Sequence, residues 1–144
     1  MKIVDFETAK KLKETFNSPF IWNIDGCTYL YTNDVDKKLV DWSSMEADYY
    51  LRDNSRFYPA PYIQEVIEYL EEVHNWSIYI TPRFDGFDNA QIDTYFEIYK
   101  KHYAGGRDYS SDAHVGDRYE SANRAICEVC DLITKERKTE KNEQ

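Results

Sequence analysis

Apolar residues at Phe6, Ala9, Leu12 and Phe16 recur at spacings of three and four, which predicts a first helix with one buried side. Asp5 stands before it as a capping residue, and Asn17-Ser18-Pro19 ends it. Two β-rich runs follow, Phe20-Ile21-Trp22-Asn23-Ile24 and Cys27-Thr28-Tyr29-Leu30-Tyr31, on either side of Asp25-Gly26. Asp-Gly supplies the two positive φ angles of a tight turn, so the pattern predicts a hairpin of residues 20–24 with 27–31. Residues 33–48 carry no clean period, and Tyr49-Tyr50-Leu51-Arg52 allows a short strand.

The clearest helix is predicted from Pro61 to His74, because proline is tolerated at the first helical position. Its buried stripe is Ile63, Val66, Ile67, Leu70 and Val73, with Asn75 as C-cap. Trp76, Ile78 and Ile80 then alternate with Ser77, Tyr79 and Thr81, a strand signature. Beyond Asp85-Gly86, the run Thr94-Tyr95-Phe96-Glu97-Ile98-Tyr99 reads as its antiparallel partner, with a helix over 90–101 as the competing reading. Residues 103–117 read as a long polar loop. Asp117 and Glu120 then open a capping-box-like start to a last helix, lined by Tyr119, Ala122, Ile126, Val129 and Ile133. The order implies an α+β fold, an antiparallel sheet of hairpins with two to three helices packed on one face. Residues 1–134 are expected to form a single globular domain, and 135–144 a charged, frayed tail.

Composition narrows the function. A chain of 144 residues with 42% hydrophobic content buries a core without metal or disulfide. No apolar run approaches a membrane span, the start lacks the apolar core of a signal peptide, and three cysteines fit a reduced compartment; a cytoplasmic location is expected. The formal net charge of −9 is unevenly placed: −2 over residues 1–56, −7 over 57–99 and zero over 100–144. Direct binding to phosphate backbones and to anionic membranes is therefore disfavoured. On the helix from Pro61, Glu65, Glu68 and Glu72 fall at roughly 200°, 140° and 180° from Ile63, with no Lys or Arg four residues away. Beside the plain reading as a solvated acidic face stands a sharper one. Glu65, Glu68 and Glu72 are the candidate binding residues for a basic protein partner.

Other motifs are weaker. Cys127-Glu128-Val129-Cys130 has the spacing of a redox or zinc pair, but lies about three turns inside the last helix, away from the dipole that would stabilise a thiolate. Cys130 is expected in the core and Cys127 half-buried. His74, His102 and His114 fit no nucleophile–base pattern, and Ala104-Gly105-Gly106-Arg107 lacks the Lys-Ser/Thr of a phosphate loop. No catalytic residue, metal ligand or cofactor is assigned. The alternatives to a binding protein are a small enzyme, using carboxylates near Asp85–Asp93 or a Cys127/His114 centre, and a zinc-binding module that would need His102 and His114.

The stretch from Arg56-Phe57-Tyr58-Pro59-Ala60-Pro61 through the helix to Trp76-Ser77-Ile78-Tyr79-Ile80, together with Tyr119-Glu120-Ser121-Ala122-Asn123-Arg124-Ala125-Ile126, resembles small uncharacterised proteins found on prophages and mobile elements of Bacteroides-type gut bacteria. The resemblance covers about half the chain through capping and core patterns. It implies an accessory role in a bacterial setting and carries over no functional residue.

Overall fold

A computed structural model describes residues 2–16, 27–32, 35–43, 57–84, 86, 91–101 and 112–143. In chain order these form α1 (Phe6–Phe16), β1 (Cys27–Tyr31), β2 (Leu39–Ser43), β3 (Tyr58–Pro59), α2 (Ile63–His74), β4 (Trp76–Phe84), β5 (Gln91–Lys100), β6 (Asp112–Val115) and α3 (Arg118–Glu143). The fold is α+β, with two antiparallel three-stranded sheets, ordered β2-β1-β3 and β4-β5-β6, in place of one. The chain divides into two compact units, residues 1–63 with 133–144 and residues 64–132.

In the first unit, Asp5 caps α1 as its position implies: its Oδ1 accepts from Thr8 N at 2.8 Å. Ala9 and Leu12 are buried with Val4 and Leu30. Residues 20–26, the first arm and turn of the expected hairpin, lie outside the described residues, as does 49–52. The described arm, β1, pairs along its whole length with β2. Leu30 and Tyr31 also pair with β3 on the opposite edge. The β1–β2 connection closes through Thr32 N donating to Lys38 O at 2.9 Å, with Lys37 in the left-handed region at φ 49°.

The Pro-Ala-Pro segment has a different use from the one its sequence implies. Alternate groups of an extended chain point to opposite sides. Ala60 N donates to Tyr29 O at 2.7 Å, whereas Pro61 O accepts from Val4 N and Ile63 N donates to Lys2 O on the other side. Both prolines thus place their missing N–H away from β1, and that ladder loses nothing. Pro61 and Tyr62 are extended, Tyr62 in an antiparallel bridge with Ile3, so α2 starts at Ile63 and not at Pro61.

Along α2, Val66 and Leu70 are buried, while Ile63 and Ile67 are intermediate. Val73 corrects the expected stripe: it is 55% exposed in the last turn. Asn75 ends the helix at φ 62°, the left-handed C-cap that its side chain tolerates. β5 is a strand, which settles its reading against a helix over 90–101, and pairs with β4 from Trp76↔Lys100 to Phe84↔Gln91. β6 lies in the stretch 103–117 expected to be all loop, and pairs Thr94–Glu97 with Val115–Asp112; residues 103–111 lie outside the described residues. Asp117 caps α3, accepting from Glu120 N at 2.8 Å, and Ala122, Ile126, Val129 and Ile133 are buried as their spacing implies. α3 continues to Glu143, through the segment expected as a tail, and Arg137 within it donates to Thr15 O at 2.5 Å.

Leu70→Ala should cost about 2–5 kcal/mol, as a large-to-small change at a fully buried site. Val73→Ala, on the same helix but exposed, should cost less than about 1 kcal/mol. Urea denaturation with an unchanged m-value checks both, and equal losses would contradict the burial pattern of α2.

Candidate functional site

The register of β4 and β5 sorts their side chains onto two faces, because successive residues of a strand point to opposite sides. Ile78↔Ile98, Ile80↔Phe96 and Pro82↔Thr94 share one face, where Ile78, Thr94, Phe96 and Ile98 are buried. The start of α3 closes this face. Thr94 Oγ1 donates to Asp117 O at 3.0 Å and accepts from the Ser121 hydroxyl, and Thr94 N donates to Gly116 O at 3.1 Å.

The opposite face carries Ser77↔Tyr99, Tyr79↔Glu97, Thr81↔Tyr95 and Arg83↔Asp93. It is a strip of phenols and carboxylates. Tyr79 is 53% exposed, and its ring meets that of Tyr99 with centroids 5.7 Å apart and planes at 61°. Tyr99 OH donates to Glu97 Oε2. At the far end, Arg83 grips Asp93 with two parallel bonds, Nε to Oδ1 at 2.7 Å and Nη2 to Oδ2 at 2.9 Å. This pair holds the guanidinium above its ordinary pKa. Ser77 shares the register of this strip but is buried, and its Oγ has no hydrogen-bond partner among the described residues.

The acidic helix residues lie on α2. Val66 and Leu70 centre its buried side, and Glu68 sits about 180° from that centre at 100° per residue. Glu68 and Glu72 are exposed and Glu65 is intermediate. Gln64 Nε2 donates to Glu68 Oε1 at 3.3 Å. The pairing cation that the helix lacks in its own sequence comes from beyond β5: Lys101 Nζ meets Glu71 Oε1 at 2.7 Å, a bond that raises the lysine pKa. Glu71 therefore has compensation near the helix C-terminus, where carboxylates are unfavourable.

The competing chemistries find less support. Asp93 is committed to Arg83, and Asp85 and Asp88 lie outside the described residues. Cys130 is buried and Cys127 intermediate, both free thiols, as expected for core and half-buried positions. His102 and the side chain of His114 lie outside the described residues, whereas His74 packs edge-on against Tyr69 at 5.3 Å. Among the described residues no group of three or more His, Cys, Asp or Glu is placed to hold a metal ion. No helix among them is long and apolar enough to cross a membrane. A cavity of about 380 Å³ lies along Thr134, Arg137, Lys138, Glu140 and Lys141 of α3, and among the described residues it gathers no nucleophile–base pair.

Reasoning from sequence singled out the helix carboxylates and missed the strip of Tyr79, Glu97 and Tyr99. The signal that finds it is the register: once 76–84 and 91–100 are aligned across their loop, the odd positions of both strands fall together. Compared with models of protein families, with curated proteins and with solved structures, the chain matches none.

Removing the buried Ser77 hydroxyl tests the packing of this region. An unsatisfied buried hydroxyl costs about 1–3 kcal/mol of desolvation, so Ser77→Ala should leave stability unchanged or raise it. A loss above about 1 kcal/mol in thermal or urea unfolding would show that the hydroxyl has a partner.

Proposed function

We propose that the chain is a non-enzymatic, cytoplasmic accessory protein of a phage or mobile element, which binds a basic protein partner through an acidic, aromatic-rich surface. One form of this is an anti-defence factor whose carboxylates stand in for nucleic-acid phosphates. The observation that carries the reading is the solvent-facing α2 surface, with Glu68 and Glu72 exposed on the side away from Val66 and Leu70. Glu72 stands near the helix C-terminus, where a carboxylate costs about 0.3–1 kcal/mol. Retaining it there is expected of a surface used for recognition. The net −7 over residues 57–99 extends the same sign of charge beyond the helix and favours steering of a cationic partner.

Glu65, Glu68 and Glu72 changed together to Lys alter the local charge by about six units while leaving Val66 and Leu70 in place. A docking surface predicts a variant with an unchanged thermal midpoint that loses its partner, chiefly through a slower, salt-dependent association rate. The measurement is a pull-down from bacterial lysate followed by association kinetics with the recovered protein. Undiminished binding by the folded triple variant would reject the helix face as the docking surface.

A further inference from the structure

We propose that Tyr79, Tyr99 and Glu97 form a docking site for a cationic side chain, a Lys or Arg carried on an extended segment of a partner protein. The inference rests on the reading that this chain binds a basic protein, and adds a second contact surface to it.

Three features converge on a cation. The two inclined rings, with centroids 5.7 Å apart, offer π faces, and an ammonium or guanidinium within about 6 Å of a phenol ring is attracted to it. Glu97 lies directly opposite Tyr79 in the β4–β5 register. Its carboxylate is oriented by the Tyr99 hydroxyl, and one such bond leaves further lone pairs to receive a donor. Tyr79 is 53% exposed, on a strand that forms the edge of its sheet among the described residues, so it can be reached both from the face and from the side.

The sheet's own cations have partners of their own, and Lys101, which also interacts electrostatically with Tyr79, has its charge balanced by Glu71. Arg83 is held by Asp93, Lys101 by Glu71, and the Lys100 ammonium lies 5.4 Å from the centre of the Trp76 ring. Among the described residues, then, the cations of β4, β5 and the residue that follows each have a partner other than Glu97. A foreign cation placed against Tyr79 and Tyr99 meets attraction from the rings and the carboxylate together. A carboxylate or phosphate in the same place meets Glu97 with like charge. Charge complementarity thus selects a basic occupant. Ser77 and Asp93–Arg83 bound the strip at its two ends, so that it runs along the edge strand β4, where an extended segment can lie beside it.

The test is a titration of the isotope-labelled full chain with an acetylated and amidated (Lys-Thr)4 peptide at low salt, followed by amide and tyrosine-ring NMR shifts. An equally long (Glu-Thr)4 peptide is the control. Shifts should concentrate at Tyr79, Thr81, Tyr95, Glu97 and Tyr99 with the basic peptide only. Tyr79→Ala and Glu97→Gln should each weaken binding about threefold to tenfold, as loss of an exposed cation–π contact or of a charge-assisted bond does. Tyr79→Phe, which keeps the ring and the fold, should bind nearly as the parent does. The variant with Glu65, Glu68 and Glu72 changed to Lys should keep the sheet shifts. Shifts confined to α2 and abolished in that triple variant would overturn this site and leave the helix-face reading standing. Equal response to the acidic peptide, or undiminished affinity in Glu97→Gln and Tyr79→Ala, would overturn it too. An absence of any shift at low salt would overturn this site, while the helix-face reading stands or falls by its own pull-down.

Discussion

The pairing register of β4 with β5 fixes what each face of the second unit presents. Because side chains alternate with a period of two, a slip by one residue would carry Phe96 and Ile98 into water and bring Glu97 and Tyr95 against the core. Two contacts hold the register. On the buried face, Ile78 lies opposite Ile98 and Ile80 opposite Phe96. On the opposite face, Arg83 and Asp93 are matched across the strands with bidentate geometry. The Thr94 hydroxyl adds a third constraint, since it meets the start of α3 only from the buried side. The phenol-and-carboxylate strip is the other side of that same alternation, and it exists because the hydrophobic side is so firmly placed.

The approach to β4 is equally constrained. α2 stops at His74, Asn75 takes the left-handed conformation, and β4 begins at once with Trp76. A connection of one residue leaves little latitude in the strand's starting position. Asn75 is bonded on both sides of the turn, its N–H to Glu71 O at 3.2 Å and its carbonyl from Lys101 N at 2.9 Å. Lys101 then returns its side chain to Glu71, so backbone and side chain of one residue tie the end of β5 to the last turn of α2. An exposed ion pair contributes little to stability by itself. Its effect here is on charge. It neutralises Glu71 and leaves the acidic character of the helix to Glu68 and Glu72.

The parts legible in the sequence are those governed by local chemistry. Asp5 and Asp117 cap helices because a short side-chain oxygen can reach the third amide, whatever the tertiary context. Asn75 likewise announces its turn. The unread parts depend on partners distant in sequence. β2 was hidden because the bend before it uses Lys37 at positive φ, where no glycine or asparagine marks the turn. β6, with Ala113 and Val115 among polar residues, becomes a strand through the edge that β5 offers it. β5 itself was ambiguous since the run is short and the amphipathic rings of Tyr95 and Tyr99 on one face soften its contrast with Phe96 and Ile98 on the other. Pro61 misled the placement of the α2 start by two residues, because proline suits both a first helical turn and an extended segment whose N–H is not needed.

The same aromatic residues that blurred the strand pattern are the ones on the open strip, and the two facts have one cause. A strand facing water on one side ordinarily shows polar residues there, and period-two hydropathy records the contrast. When tyrosines occupy the outer positions, the contrast falls and the face acquires large, amphipathic, low-entropy contact area of the kind enriched in interfaces. The helix carboxylates were easy to find because charge stands out in a sequence. A patch of Tyr79, Tyr99 and one carboxylate does not stand out, since tyrosine passes for core in one count and for surface in another. The ambiguity over residues 90–101 was therefore itself informative: a strand whose two faces are hard to tell apart by hydropathy carries aromatic rings beside the charges of its outer face.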